Sequence, residues 1–250
     1  MSAPRSANGV QSLERAFAIL ELMAEAGGEL QLSRLSTLSG LPLPTIHRII
    51  RTLVGSGYVR QLPSRGYALG PRLIRLGESA SSMFATWARP VLTDLVAAVG
   101  ETANMAVMDG DRAVYVAQVP STHSVRMFTE VGRRVYLHCT GVGKALLAQL
   151  PPEDARALVE RAGMPAQTPN TITDPDLLMV ELAEIRQRGY CVDDAEQEPG
   201  VRCLAVPVTG APTLSAISVS GPEGRIGADA VESIAAQLQA AVPKLLAEIT

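Results

Sequence analysis

Residues 40 to 59 read GLPLPTIHRIIRTLVGSGYV, and this run constrains the fold more than any other in the chain. Two prolines precede a stretch of helical length, two arginines stand among its isoleucines, and Gly55-Ser56-Gly57 cuts it off. Proline suits the turn and the first helical positions, where a missing N–H costs little, so Pro42 and Pro44 mark a helix start. At about 100° per residue, Ile46, Ile49, Ile50 and Leu53 fall in one sector. Arg48, Arg51 and Thr52 fall on the opposite side, with Thr45 beside them near the N-terminal end. One side is core, and the other is free to enter a groove. Arginine grips phosphate or bonds guanine in bidentate fashion, and the first exposed residues of a recognition helix reach base edges. Thr45, Arg48 and Arg51 are therefore the leading candidate DNA contacts. His47 lies at the margin, open to either a structural role or a base contact.

The flanking sequence completes a winged helix-turn-helix. Ser12 is placed to cap a helix over LERAFAILELMAEAG, with Leu13, Phe17, Leu20 and Ala24 on one face and Gly27-Gly28 as its stop. Ser33 is placed to cap a second, short helix ended by Gly40, and the turn Gly40-Leu41-Pro42 leads into the arginine-bearing helix. YVRQLPSRGYALG then reads as strand, turn and strand, a wing with Arg60 at its base and Arg65 at its tip. Both arginines are candidates for phosphate or minor-groove contact. Arg72 and Arg75 are read as ordinary surface charges.

Charge is distributed to match. The chain of 250 residues has a net charge of −3, but residues 1 to 88 carry nine arginines against five glutamates, while the remaining 162 carry 13 basic and 20 acidic side chains. A basic front on an acidic body marks where a polyanion would sit. No apolar run approaches the ~18 to 20 residues of a membrane span, and MSAPRSANG offers no signal-peptide core, so a cytoplasmic protein is expected. Cys139, Cys191 and Cys203 form no CxxC and no even set, in keeping with reduced thiols.

The second half predicts an α+β domain. RLGESASSMFATWARPVLTDLVAAVG reads as a linker helix and a further helix separated near Arg89-Pro90. TANMAVMDGDRAVYVAQVP is a hairpin around Asp-Gly. SVRMFTEVG and RRVYLHC look like further strands, followed by helices over roughly 141–150, 153–162 and 174–188. CLAVPV and LSAISVSG supply two more strands, and ADAVESIAAQLQAAVPKLLAEI closes the chain as an amphipathic helix.

SLERAFAILELMA, GLPLPTIHRIIRTLVGSGYV and YALGPRLIRLG resemble the DNA-binding half of the IclR-type transcriptional regulators. LHCTGVGKALLAQLP, TPNTITDP, IRQRGYCVDDAEQEPGVRCLAVPV and AISVSGPEGRI resemble their effector-binding half. The resemblance implies a winged helix-turn-helix (residues 1–70), a linker helix (71–88) and a GAF-like effector-binding domain (89–250), assembled as a homodimer or a dimer of dimers on operator DNA. Repression relieved by ligand is the expected polarity. The motifs GETANMAVMDG, VRM and LHCTGVGKALL look closest to the glyoxylate-responsive and allantoin-pathway repressors, although Cys139 and Thr140 stand where those relatives commonly carry alanine and serine.

Two features of the second domain suit a small anion. Ser218 and Ser220 are two apart on a predicted strand and share a face, and TGVGKALL opens a helix with free N–H groups at Gly141 to Gly143. By resemblance, the family's pocket positions correspond to Gly141, Val142, Asp193, Cys203, Ser218 and Ser220, with Met127 and Val201 as apolar wall. Asp193 repels a bare carboxylate unless it is protonated or the ligand also brings a donor. A small hydroxy acid, hydrated oxo acid or ureido acid, with glyoxylate or allantoate as the named expectations, satisfies both ends.

Other chemistries fit less well. GVGK lacks the earlier glycine of a phosphate-binding loop, whose place falls at His138, and Ala145 replaces the Ser or Thr that would hold magnesium. His138 and Cys139 are adjacent and face opposite ways on a strand, and neither they nor His123 have metal-ligand spacing. No enzyme, metal or cofactor is expected; thiol-based redox sensing through Cys203 and Cys191 is the alternative, with a small-acid enzyme behind it.

Overall fold

The computed structural model describes residues 10–127 and 129–249. They divide into two compact units, residues 1–80 and 81–250.

In the first unit, α1 (Gln11–Glu25), α2 (Leu32–Ser39) and α3 (Leu43–Gly55) surround a small core of Ile19, Met23, Leu35, Ile46, Ile50 and Leu53. A three-stranded antiparallel sheet, ordered β1 (Glu29–Leu30), β3 (Tyr67–Leu69), β2 (Val59–Gln61), forms the wing. Gly40 ends α2 in the left-handed conformation that glycine tolerates best, with φ of 67°. The Ser36 hydroxyl donates to the Leu41 carbonyl, and the helix-turn-helix corner is set.

Three local expectations are corrected. Helix α1 is entered through Val10, whose carbonyl accepts from Leu13 and Glu14, so Ser12 lies inside the first turn and caps nothing. Gln31 takes the corresponding place before α2, and Ser33 lies within the first turn. The buried stripe of α1 runs through Ile19 and Met23, while Leu13 and Phe17 face outward, 57% and 64% exposed. Apolar residues occur on several sides of this helix, and the packing against α2 and α3 selects one of them.

In the second unit, β4 (Thr102–Asp109), β5 (Arg112–Val119), β6 (Arg134–Tyr136), β7 (Cys191–Asp194), β8 (Val201–Pro207) and β9 (Ser215–Pro222) form one antiparallel sheet ordered β6-β5-β4-β9-β8-β7. Alternation sends Ile217 and Val219 to one face, where α4 (Arg72–Val99) and α8 (Val231–Ile249) pack through Leu92, Leu95, Leu238 and Leu245. Ala216, Ser218 and Ser220 point to the other face, under α5 (Gly141–Leu147), α6 (Pro152–Ala162) and α7 (Pro175–Arg188). This is the α+β arrangement expected of a GAF-like sensor.

Two expectations fail here for physical reasons. Helix α4 does not break at Pro90. Phe84 and Ala88 before the proline and Val91, Leu92 and Leu95 after it bury against the same core, which holds the helix together across a lost hydrogen bond. The SVRMFTEVG segment makes no strand in its described residues. Its carbonyls are taken by side chains, Met127 O by the Thr102 hydroxyl at 3.0 Å and Val125 O by Arg225 at 2.9 Å, so no ladder forms. Phe128 lies outside the described residues.

Candidate nucleic-acid interface and ligand site

Helix α3 turns Ile46, Ile50 and Leu53 inward and leaves Arg48, Arg51 and Thr52 on the exposed side. Thr45 is half-buried in the first turn, and His47 is exposed. Thr52 donates its hydroxyl to the Arg48 carbonyl at 3.0 Å, which leaves its oxygen as an acceptor. Arg60 projects from β2, and Arg65 stands at the wing tip with a left-handed φ of 63°. That strained tip is held by the Leu62 N–H to Gly66 carbonyl bond, by Arg65 N–H to Leu62 O, and by Ser64 Oγ donating to Glu29 Oε1. Arg48, Arg51, Arg60 and Arg65 have no acidic partner among the described residues. Arg72, by contrast, donates to the Ser56 carbonyl at 2.8 Å and lies over the Tyr58 ring. Four unpaired guanidinium groups on one helix face and one wing form a surface suited to phosphate and base edges.

The ligand-site candidates converge between α5 and the β7-β8-β9 edge of the sheet. Asp193 and Cys203 are register partners, as are Cys203 and Ser220. Ser220 donates to the Cys203 sulfur at 3.2 Å and lies within 3.5 Å of Asn104 Nδ2, while Gln118 donates to Asn104 Oδ1. Ser218 is fully buried, and its hydroxyl has no hydrogen-bond partner among the described residues. Gly141 lies so close to this edge that a Cβ there would stand 2.8 Å from the Cys203 sulfur, so only glycine fits. Thr140 caps α5 by accepting from the Gly143 N–H at 3.1 Å. The N–H groups of Gly141 and Val142 have no intrahelical acceptor at this position.

The other predicted positions divide. Val142 sends its side chain into the apolar layer with Ala145 and Leu146, so its contribution to a ligand is its backbone N–H. Val201 is half-buried at the start of β8, two residues from Cys203 and on the same strand face. Met127 is half-buried in the segment tied to Thr102, the register partner of Ser220.

Electrostatically the site is anchored by buried charge. Asp193 Oδ1 accepts from the Glu196 N–H at 2.8 Å and weakly from Gln197. Burial pushes its carboxyl up to about 7, against the pull of those N–H groups and of Lys144. Near neutral pH it therefore exists in both forms. Burial holds the Cys139, Cys191 and Cys203 thiols up at about 12, so none is an activated thiolate.

Several residues that sequence reasoning missed support this constellation. Lys144, of the GVGK run, is buried; its Nζ bonds the Val192 carbonyl at 2.7 Å and pairs with Glu196, so it is not available to a phosphate. Thr168 and Thr171 clamp the turn after β7, donating to the Ala195 and Glu196 carbonyls at 2.7 and 2.6 Å. Ala195 in that turn has φ of 56°, a strained conformation those bonds hold. Asn104 and Gln118 were readable only as strand residues, since their polar faces acquire meaning from cross-strand register.

Comparison with known proteins agrees with both halves. The IclR helix-turn-helix domain matches residues 12–63, and the C-terminal domain of the bacterial transcriptional regulator IclR matches residues 80–246. The chain is 39% identical to the transcriptional repressor IclR of Escherichia coli K12 over 92% of its own length and 86% of the relative's. It is 34% identical to the HTH-type transcriptional repressor AllR of Klebsiella pneumoniae, over 90% and 85%. A crystal structure of an IclR-type transcriptional regulator from Silicibacter sp. TM1040 superposes with a TM-score of 0.85 at 30% identity, covering 95% of this chain and 96% of that one. These relatives are regulators by name rather than enzymes, and the chain belongs to the IclR family of bacterial transcriptional regulators.

Proposed function

We propose that the protein is a cytoplasmic repressor that binds operator DNA through α3 and the wing and is released by a small carboxylate. The observation that carries the DNA half is the exposed, unpaired Arg48 and Arg51 opposite the buried Ile46, Ile50 and Leu53. Repressor polarity follows the names of the IclR and AllR relatives. Among the described residues no helix is long and apolar enough to cross a membrane.

The effector reading rests on complementary groups. The Gly141 and Val142 N–H groups and the Ser218 hydroxyl suit a carboxylate, and Asp193, easily protonated, either donates to it or accepts from a ligand hydroxyl or N–H. Glyoxylate in its hydrated form, or a ureido acid such as allantoate, offers both ends. Cys203, Met127 and Val201 form the apolar side. The protonated thiols give no support to redox sensing.

The homodimer reading is supported by an exposed apolar stripe at the start of α1, where Val10 just before the helix and Leu13 and Phe17 within it recur at three- and four-residue spacing. Paired recognition helices need half-sites roughly 34 Å apart, so ligand preference for one sensor state can abolish simultaneous contact. A gel shift with DNA from the gene's own upstream region, in excess competitor, tests the reading. Specific binding released by glyoxylate or allantoate is expected. Binding indifferent to both would remove this effector class, and absence of specific binding there and at neighbouring promoters would remove the repressor.

A further inference from the structure

Strand β5 carries one residue too many for its partner. Met105 of β4 pairs with Ala117 and Ala106 pairs with Tyr115, so Val116 is left over as a β-bulge. Val116 and Ala117 both turn to the core under α4 and α8. Strict alternation from Ala117 would send Tyr115 to that core as well. The bulge sends it instead to the opposite face, among Ala106, Ala113 and Ala216 on the ligand-site side of the sheet. Its backbone is fixed there, where the Tyr115 N–H donates to the Arg133 carbonyl at 3.2 Å and its carbonyl accepts from the Gly132 N–H at 2.8 Å.

A buried tyrosine ordinarily finds a partner for its hydroxyl. Tyr115 is 9% exposed, and its hydroxyl makes no hydrogen bond among the described residues. Its cross-strand row, Tyr115 to Ala106 to Ala216, offers methyl groups and no side-chain acceptor. Burial pushes the phenol far above its ordinary range, and Cys203 and Asp193 are near enough to push it further, with Arg133 opposing. The phenol is therefore a fixed donor that lacks an acceptor, close to two of the residues that the ligand site brings together.

We propose that Tyr115 reads the effector, donating its hydroxyl to a carbonyl that lies beyond the ligand's carboxylate. The inference rests on the carboxylate site proposed above and adds what that site selects. The carboxylate end is met by the Gly141 and Val142 N–H groups and by Ser218. Strand β5 stands two strands from β9 in the sheet, about 10 Å away at the usual spacing, so the phenol meets a ligand from the far side. A two-carbon acid fills the first end and stops short of the second. A ureido acid spans both, its N–H suiting Asp193 and its carbonyl suiting the phenol. A bound carbonyl also ends the cost of a buried hydroxyl with no partner, which a ligand without one leaves in place. Tyr115 thus sets specificity rather than holding the fold.

Calorimetric titration of the full chain with glyoxylate and with allantoate, before and after Tyr115→Phe, tests this. The variant keeps the ring and its packing. Allantoate affinity should fall about tenfold, the loss expected of one buried hydrogen bond, while glyoxylate affinity stays within about twofold of wild type. Without ligand the variant should melt no lower than wild type, because the hydroxyl it loses had no partner. A tyrosine that holds the fold would behave the other way. Equal allantoate affinity in both proteins, equal losses for the two acids, or a ligand-free variant that melts markedly lower would each overturn the role of Tyr115. Glyoxylate bound by the wild type while allantoate is ignored would overturn it too and leave the carboxylate site standing. Neither acid binding the wild type would overturn the site and the inference together.

Discussion

Lys144→Met puts the buried charge of the sensor to the test. Lys144 is 1% exposed and holds three groups: the Val192 carbonyl at 2.7 Å, the carboxylate of Glu196, and Glu181 at 3.8 Å. Burial alone would strip its proton, but Glu196 and its neighbours outweigh that and hold the ammonium above its ordinary range. Methionine fills nearly the same volume, so the variant removes charge and hydrogen bonds and leaves little cavity. Glu196 is then a buried carboxylate with no counter-ion, and its Oε2 already has no partner. Breaking one side of a buried pair costs about 3–5 kcal/mol, which at ~2–4 °C per kcal/mol for a domain of this size lowers its melting temperature by roughly 6–20 °C.

The pH dependence gives a second reading of the same variant. Burial raises Glu196 above its ordinary 4.5, and Lys144 opposes that rise. Without the lysine the rise is larger. A carboxylate raised on folding destabilises fully above its folded value and not at all below its unfolded one. The deficit against wild type should therefore be greatest at pH 8 and shrink as pH falls toward about 5. Adding Glu196→Leu should recover most of the loss, because a packed apolar pair often equals a buried ion pair. Calorimetry of the sensor transition checks all three. A Lys144→Met protein melting within 2 °C of wild type, or one whose deficit is the same at pH 5 and pH 8, would refute the reasoning.

The remaining predictions concern the proposed sites. Glyoxylate affinity, measured by calorimetry, should fall by up to about tenfold per pH unit above 7 as Asp193 loses its proton, and Asp193→Asn should flatten that dependence. The same substitution should stabilise the ligand-free sensor at pH 8 and not at pH 3.5, since the carboxyl is raised from 3.8 to about 7 by burial and is neutral in both states at low pH. Arg48→Ala should cost about 1–3 kcal/mol of specific DNA binding, while Arg65→Ala should weaken all sequences alike and lower the salt slope by about 1. Phe17→Asp should dissociate the DNA-binding dimer and reduce operator affinity without changing glyoxylate binding. The three thiols should resist a thiol reagent at pH 7.5 until the protein unfolds, and peroxide should leave DNA binding unchanged.

How much of this was legible depended on whether the signal was local. The arginine face of α3 was readable because a helix displays its two sides at a fixed 100° per residue and because proline and glycine marked its ends. The hairpin of β4 and β5 was readable from Asp-Gly for the same reason. The α1 face was not, because six large apolar residues on one helix admit more than one stripe and only α2 and α3 choose between them. Pro90 misled because local propensity argues for a break, whereas the decisive term is burial of Phe84, Ala88 and Leu92 on one core. The serine pair was found through its spacing of two, but Asn104 and Gln118 stand on strands more than 100 residues away in sequence from β9, or pair with those that do, and only register brings them there.

Lys144 shows why the motif and the site should be argued together. The GVGK run supplies, within four residues, the N–H groups that face the proposed ligand and the ammonium that fixes the far side of the same pocket. Gly141 abuts Cys203 and accepts from the Cys191 thiol at 2.8 Å. One turn later Lys144 seizes the Val192 carbonyl and Glu196, whose N–H in turn holds Asp193. Helix α5 is thus tied to β7 at both of its turns, and the aspartate proposed to meet the ligand is positioned by the residue that pairs with the lysine. A carboxylate arriving at Gly141 adds negative charge beside Asp193 and favours its protonation, while Lys144 opposes that protonation. The Glu196 carboxylate, like an arriving anion, favours protonation of Asp193, and of the buried pair only Lys144 opposes it, so removing that negative charge with Glu196→Gln should alter the pH at which glyoxylate affinity begins to fall. If that pH is unchanged while the fold is intact, the two halves of α5 act independently, and the coupling drawn between them is absent.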